Sequence, residues 1–408
     1  MAGDAARSRT LDLPADPRAL LAHVRKRGER LVLSGFELRL ARAYGFCQGV
    51  QRAVARALRA AEATVPTAAR GVDREAARLF VTGEIIHNPA INEQLRQAGV
   101  IRLPPPGTPD RLADIGPQDR VIIPAFGIDI DEQRQVQAIG CEVIDTTCEW
   151  VRKVWQAADE FSRAGLTLVI HGKAEHEETR ATASRIQGPW VIVRTIAEAT
   201  AIAAAVRDPV GTASRNLPTR DTGMASLGFD PGRDLDRLGL VNQTTMLENE
   251  TQEISRLLRE ALTERWGAPP GPACYRALET FCTATQKRQE AVRELLAPGD
   301  LQMLIVVGGF RSSNTAHLAR LGSERIPTFH VEDADCLLDA HRIRHRPPGK
   351  ATPEITRDWL PPPPRRIGLT AGASTPEREI GRLLQRVISL HLETAASPRG
   401  TPREESPR

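Results

Sequence analysis

Three of the six cysteines in this sequence share one setting. Cys47 closes "RAYGFC" and opens "QGVQRAVARAL"; Cys148 closes "CEVIDTTC" and opens "EWVRKVWQAADEF"; Cys282 closes "YRALETFC" and opens "TATQKRQEAVREL". Each falls where a strand pattern hands over to a helix pattern. In open α/β sheets ligands bind at that edge. A helix N-terminus favours thiolate over thiol and offers N–H groups to anions. Three thiolates on one centre leave a fourth coordination position open. A structural zinc is normally closed by four ligands, so an open site implies chemistry. On an iron–sulfur cubane, three Cys ligands leave one iron to a substrate. Ferredoxin-type C-x₂-C spacing is absent, so spacing alone does not name the metal. Three packed core thiols are the plain alternative.

The other cysteines lack this setting. Cys141 precedes Cys148 by a stretch that, as a strand, spans about 23 Å, which puts it at the far end of a sheet. Cys274 and Cys336 read as packing residues. Each cysteine–helix pattern leads to a strand ending in polar groups: His87 in "GEIIHNP", His176 and Glu178 in "VIHGKAEHEET", and Ser312, Ser313 and Asn314 in "VVGGFRSSN". One more strand with an end signal closes each unit: "IDTTC", "LVNQTT" and "LTAGAST".

The elements that must carry these residues are short β-rich runs alternating with helical patterns from Leu38 onward. Examples are "RVIIPAFG", "LTLVIHG" and "MLIVVGG" against "EWVRKVWQAADEFSRAG" and "QKRQEAVRELL". The expectation is α/β with parallel-type sheets, as three pseudo-repeated α/β units. A chain of 408 residues with 41% hydrophobic content also exceeds one ordinary core. The Gly-, Pro- and Asp-rich stretch at 207–235 and the irregular stretch at 342–366, with "RHRPPGKATPE" and "LPPPPRR", read as insertions, and 393–408 as a disordered tail.

Net charge is +4, from 55 basic and 51 acidic residues. The signs are interspersed and no basic block appears, so nucleic acid is not an expected partner. No run approaches the roughly 18 apolar residues of a membrane helix. The first residues carry early acids and no apolar core of a signal peptide. The expectation is a cytoplasmic protein without a disulfide framework.

These residues resemble the 4-hydroxy-3-methylbut-2-enyl diphosphate reductase family, in its plant and cyanobacterial branch. The resemblance runs from about Leu38 to about Leu392 and rests on eight motifs in order: "GFCQGVQRA", "IIHNPAINEQL", "IDTTCEWVRKV", "HGKAEHEETRATAS", "NQTTMLENET", "CTATQKRQEA", "RSSNTAHL" and "GLTAGASTPE". It implies a trefoil of three α/β domains around a central cavity holding one [4Fe–4S] cluster per chain. Cys47, Cys148 and Cys282 would be its ligands, with one iron open. The segments would be 1–37 as an extension, 38–47 as a strand completing the third domain, 48–148, 149–281 and 282–392 as the domains, and 393–408 as the tail.

The implied reaction is the two-electron reductive dehydroxylation of (E)-4-hydroxy-3-methylbut-2-enyl diphosphate to isopentenyl and dimethylallyl diphosphates. This is the last step of the methylerythritol phosphate route to isoprenoids. By the motif match His87, His176, Gln243, Ser312, Ser313, Asn314 and Ser374 would bind the substrate, most of them through its diphosphate. Glu178 would deliver protons and Thr244 would hydrogen-bond both Glu178 and the substrate hydroxyl. A dry cavity would raise the Glu178 pKa. Ferredoxin or flavodoxin would supply electrons, to a monomer or homodimer. Phe126 stands where many members carry histidine, which removes one diphosphate donor.

Each motif has a plainer reading alone. His87 and "SSN" suit helix starts as caps, and Glu177 and Glu178 suit a helix dipole. On a helix the Glu177 side chain points about 100° from Glu178, which marks it as a bystander. From the cysteines alone, a zinc protein recognising an anionic partner and a zinc hydrolase with Glu178 as base are the competing classes. Nine Phe, two Tyr and five Trp form no aromatic, basic stripe for RNA.

Overall fold

The structure, a computed structural model, describes residues 13–64, 77–215, 217, 223–278 and 281–396. Among these, Cys47–Lys287 form one compact unit, and the residues up to Phe46 and from Arg288 onward form another.

The Cys47–Lys287 unit contains two four-stranded sheets. One runs in the order Ile101–Arg102, Leu79–Val81, Arg120–Ile123, Glu142–Asp145. The other runs Tyr275–Ala277, Leu238–Asn242, Thr167–His171, Trp190–Val193. Every pairing in both is parallel. The expected fold class, α/β with parallel sheets, is thus what the chain adopts. The reason lies in the composition of the strands. Leu79–Val81, Thr167–His171 and Leu238–Asn242 are buried at every position, as strands covered on both faces must be. Helices such as Glu149–Arg163 supply the cover, with Val154, Ala157, Ala158 and Phe161 packed on Leu168, Ile170 and Val241.

The second unit is built on a five-stranded sheet in the order Arg30–Leu33, Phe36–Leu40, Arg365–Ala371, Met303–Val307, Thr328–Val331. Only the first pair is antiparallel. Phe36–Leu40 therefore joins a sheet whose other parallel strands come from the last third of the chain. Residues 13–37, within the stretch read from sequence as an extension, are part of this unit. Helix Pro17–Arg25 buries Leu20, Leu21 and Val24 against Ile380, Leu383, Leu384 and Val387. Three apolar residues on one helical face need such a partner, and the partner lies too far along the chain for local patterns to reveal.

Two further stretches carry regular structure beyond the sequence reading. The stretch 342–366 is not irregular throughout: Arg342–His345 and Glu354–Arg357 pair as an antiparallel ribbon. Its first strand alternates exposed Arg342 and Arg344 with buried Ile343 and His345. The last helix, Glu377–Ala396, continues past residue 392; the remainder of the expected tail lies outside the described residues. None of the described helices is long and apolar enough to cross a membrane.

Candidate active site

Strand ends and helix starts place the three cysteines. Glu142–Asp145 ends three residues before Cys148, which occupies the N-cap position of Glu149–Arg163 without a side-chain cap bond. Cys47 precedes Gln48–Thr64, and its Sγ accepts from the Val50 N–H at 3.4 Å. Cys282 precedes Thr283–Leu296, and its carbonyl accepts from the Thr285 N–H at 2.8 Å. The thiols lie close enough to act on one another electrostatically. Burial pushes the Cys148 pKa up to about 11, helped by the charges of Cys282, Cys47 and Glu178. Burial likewise raises Cys282, with Cys47 adding to it.

The helix N-terminus does not win here. The expectation of ready thiolates fails for Cys148 and Cys282 because desolvation and mutual repulsion exceed the dipole's stabilisation. Such a place suits a cation, which converts repulsion into coordination and drives the protons off. Gly49 keeps it open. A Cβ on Gly49 would stand 2.8 Å from Cys148 Sγ and 3.9 Å from Cys47 Sγ. Two thiols around a cradle that a single methyl group would fill, with Cys282 within electrostatic reach of both, fit a metal centre.

Glu178 lies in the same unit, 2% exposed, in the first turn of helix Glu177–Ala183. Its carboxyl is held at both oxygens by one residue: the Thr244 N–H donates to Oε1 at 2.6 Å, and Thr244 Oγ1 lies 3.0 Å from Oε2. Burial raises its pKa from 4.5 to about 7, against the lowering effect of the Thr244 contacts. The hydroxyl contact serves either state, since a hydroxyl donates to a carboxylate and accepts from a carboxylic acid. The structure thus couples Glu178 with Thr244. Gln243 is differently employed. Its Oε1 accepts from the Lys173 N–H at 3.1 Å and from Thr179 Oγ1 at 3.2 Å, while Nε2 donates to Thr245 Oγ1 at 2.7 Å. It braces the loop that carries His176.

His176 caps its helix, accepting at Nδ1 from the Glu178 N–H at 3.1 Å. The neutral ring then carries its proton on Nε2, which makes that atom a donor. His87 is buried with a carboxylate on each nitrogen: Glu84 Oε2 lies 2.9 Å from Nδ1 and Glu177 Oε2 lies 3.3 Å from Nε2. Burial opposes the charged ring, but the two carboxylates together hold its pKa above the ordinary value. Burial in turn works to raise Glu177, and the His87 bond and the His87 and His176 charges bring it well below the carboxylate range. Phe126 stacks on His87 at 4.4 Å and meets His176 edge-on at 5.3 Å. The phenylalanine supplies a ring face for a charged imidazole.

Glu177 and Glu84 were not singled out as site residues in the sequence. Glu84 has a local signal, three residues before His87 in one strand-end turn. Glu177 has none, because its partner comes from another sheet.

In the other unit, Ser312 caps helix Ser313–Ser323, accepting from the Thr315 N–H at 3.3 Å. Asn314 Oδ1 accepts from the Ala373 N–H at 2.9 Å, which ties this helix start to the turn containing Ser374. Ser313 Oγ and Asn314 Nδ2 are buried and have no hydrogen-bond partner among the described residues. Unpartnered buried donors are costly unless something accepts from them. Gly372 permits the approach of strand end to helix, since a Cβ there would come 1.9 Å from Thr315 Oγ1.

Converging thiols, a buried carboxyl that titrates near neutrality and imidazole donors at strand ends define an α/β protein with a thiol-lined site beside anion donors. The family model described as "LytB protein" matches residues 38–388, and the chain belongs to that family. It is 37% identical over 373 residues to the 4-hydroxy-3-methylbut-2-enyl diphosphate reductase of Thermosynechococcus vestitus, covering 91% of this chain and 89% of the relative. It is 38% identical over 386 residues to the enzyme of the same name from Gloeobacter violaceus, covering 93% and 89%. A solved structure of (E)-4-hydroxy-3-methyl-but-2-enyl diphosphate reductase, the terminal enzyme of the non-mevalonate pathway, is similar with TM-score 0.51 and 26% identity. That match covers 86% of this chain and 99% of the other.

Proposed function

We propose that this chain reduces (E)-4-hydroxy-3-methylbut-2-enyl diphosphate to isopentenyl and dimethylallyl diphosphates. Two electrons and two protons enter, the C–O bond to the hydroxyl breaks, and water leaves. The observation that carries this reading is the buried Glu178, clamped by Thr244 in the same unit as three neighbouring thiols, in a chain of the LytB family. Cys47, Cys148 and Cys282 would hold one [4Fe–4S] cluster. When bound, such a cluster supplies one-electron reduction and an open iron for a hydroxyl oxygen. The zinc readings made from the cysteines alone are not favoured by the family.

The chain's own groups do the rest. With a pKa of about 7, Glu178 holds a proton near neutrality and can give it up, as a general acid must. Thr244 fixes the carboxyl in place and keeps a hydroxyl beside it for the substrate's hydroxyl end. His87 and His176 donate to the diphosphate, one from a charged ring and one from Nε2. Ser313 and Asn314 have the unpartnered donors for an anion-binding role, and Ser312 and Ser374 flank them. Gln243 supports the site from behind. Ferredoxin or flavodoxin is the electron donor class. The test is anaerobic turnover of the substrate with dithionite and a viologen, products read by mass spectrometry. Isopentenyl and dimethylallyl diphosphates are expected; iron-loaded protein that releases neither would overturn the reading.

A further inference from the structure

His87 has no N–H to spare. A charged imidazole has two donors, and here Glu84 takes one and Glu177 the other. For His87 to donate to a substrate anion, one carboxylate must yield. Glu84 is tethered, since its second oxygen lies 3.8 Å from Arg102 Nη1. Glu177 has somewhere to go. Arg180, one turn later on the same helix, is exposed, and its guanidinium has no hydrogen-bond or ion-pair partner among the described residues. Residues three apart on a helix are surface neighbours. Glu177, Arg180, Glu84 and Phe126 also line one cavity of about 850 Å³, so room for the swing exists. One ring nitrogen each of His87 and His176 and a Glu177 carboxylate oxygen lie within 4.8 Å of one another. The Glu177 carboxylate therefore stands where an anion shared by both imidazoles would sit.

We propose that Glu177 is a displaceable counter-anion. It keeps His87 charged and oriented in the ligand-free protein, yields Nε2 to the substrate's diphosphate, and re-pairs with Arg180. The inference rests on His87 being a diphosphate donor, as proposed above. Glu177 is then an affinity-determining residue, opposing anion binding, while Arg180 assists binding only by receiving Glu177.

The experiment is a double-mutant cycle on the cluster-loaded enzyme, reading the Kd of inorganic pyrophosphate and the KM of the substrate. Glu177→Gln should tighten both by about three- to tenfold, the scale of a half-buried ion pair. Arg180→Gln should weaken both by a similar factor in the wild-type background and have no effect in the Glu177→Gln background. Equal weakening by Arg180→Gln in both backgrounds would show that Arg180 merely attracts anions, and would overturn the proposal. So would weaker binding in Glu177→Gln, which would make Glu177 a fixed support of His87. His87→Ala separates the two levels. Undiminished pyrophosphate binding in that variant removes the reading on which the proposal stands. Loss of binding there upholds that reading, and the cycle alone then decides the role of Glu177.

Discussion

Glu178→Gln removes a titrating proton while keeping the side chain's shape. The Thr244 N–H can still donate to the amide oxygen, so the local fold should survive. Raising a buried carboxyl from 4.5 to about 7 disfavours its ionised form by about 3 kcal/mol. The folded protein therefore holds a proton that the unfolded chain has released. That contribution to stability is fully present below the unfolded pKa and is lost as pH rises through about 7. Wild-type stability should fall between about pH 4.5 and 8 by up to about 3 kcal/mol from this group, and the glutamine variant should lack that component. The substitution that removes this stability loss should cost activity. Turnover with dithionite and viologen should drop about 10²-fold or more, the usual scale for losing a positioned general acid. Wild-type turnover should decline above neutral pH, and the residual activity of the variant should lose that limb. Iron content and thermal unfolding at pH 8 complete the assay. Normal turnover in Glu178→Gln, with normal iron, would refute the assignment, since nothing else in the clamp with Thr244 carries a proton of comparable pKa.

Serine in place of Cys47, Cys148 or Cys282 should abolish or sharply reduce iron binding, measured as iron and sulfide per chain; serine at Cys141, Cys274 or Cys336 should leave it unchanged. Gly49→Ala should also lower iron content with circular dichroism intact, because its methyl group would stand 2.8 Å from Cys148 Sγ. Full loading in that variant would mean that the cradle relaxes freely. His87→Ala and Asn314→Ala should each weaken substrate binding by about 10- to 150-fold, the loss of one hydrogen bond to a charged group. Equal affinity for the substrate and its dephosphorylated alcohol would show that no anion pocket is present.

What could be read from the sequence was whatever a strand-to-helix handover announces locally. The thiol positions belong here, and so does the His176–Glu178 pair, because one helix start contains both. The Thr244 clamp was reachable only through family resemblance: residues 178 and 244 lie on different elements, and nothing near either names the other. The N-terminal helix was legible as a helix, from "ALLAHVRKRGERLV", but not as a component of the third sheet's unit. Its buried face is matched by Ile380, Leu383, Leu384 and Val387, more than 350 residues away.

Glu177 shows the limit most plainly. Helical geometry was right that its side chain leaves Glu178's direction, and wrong that it thereby leaves the site. A direction of about 100° around a helix says where a side chain does not point; what it meets depends on a second sheet, here the strand-end turn carrying His87. The thiols teach the same lesson about charge. Position at a helix start argues for thiolate, but the dipole is worth about a kilocalorie, and at Cys148 and Cys282 burial outweighs it. Burial is the common cause of the raised Glu178 and Cys148 pKa values. The burial that keeps this acid protonated also favours the protonated thiol at Cys148 and Cys282 until a cation displaces the proton.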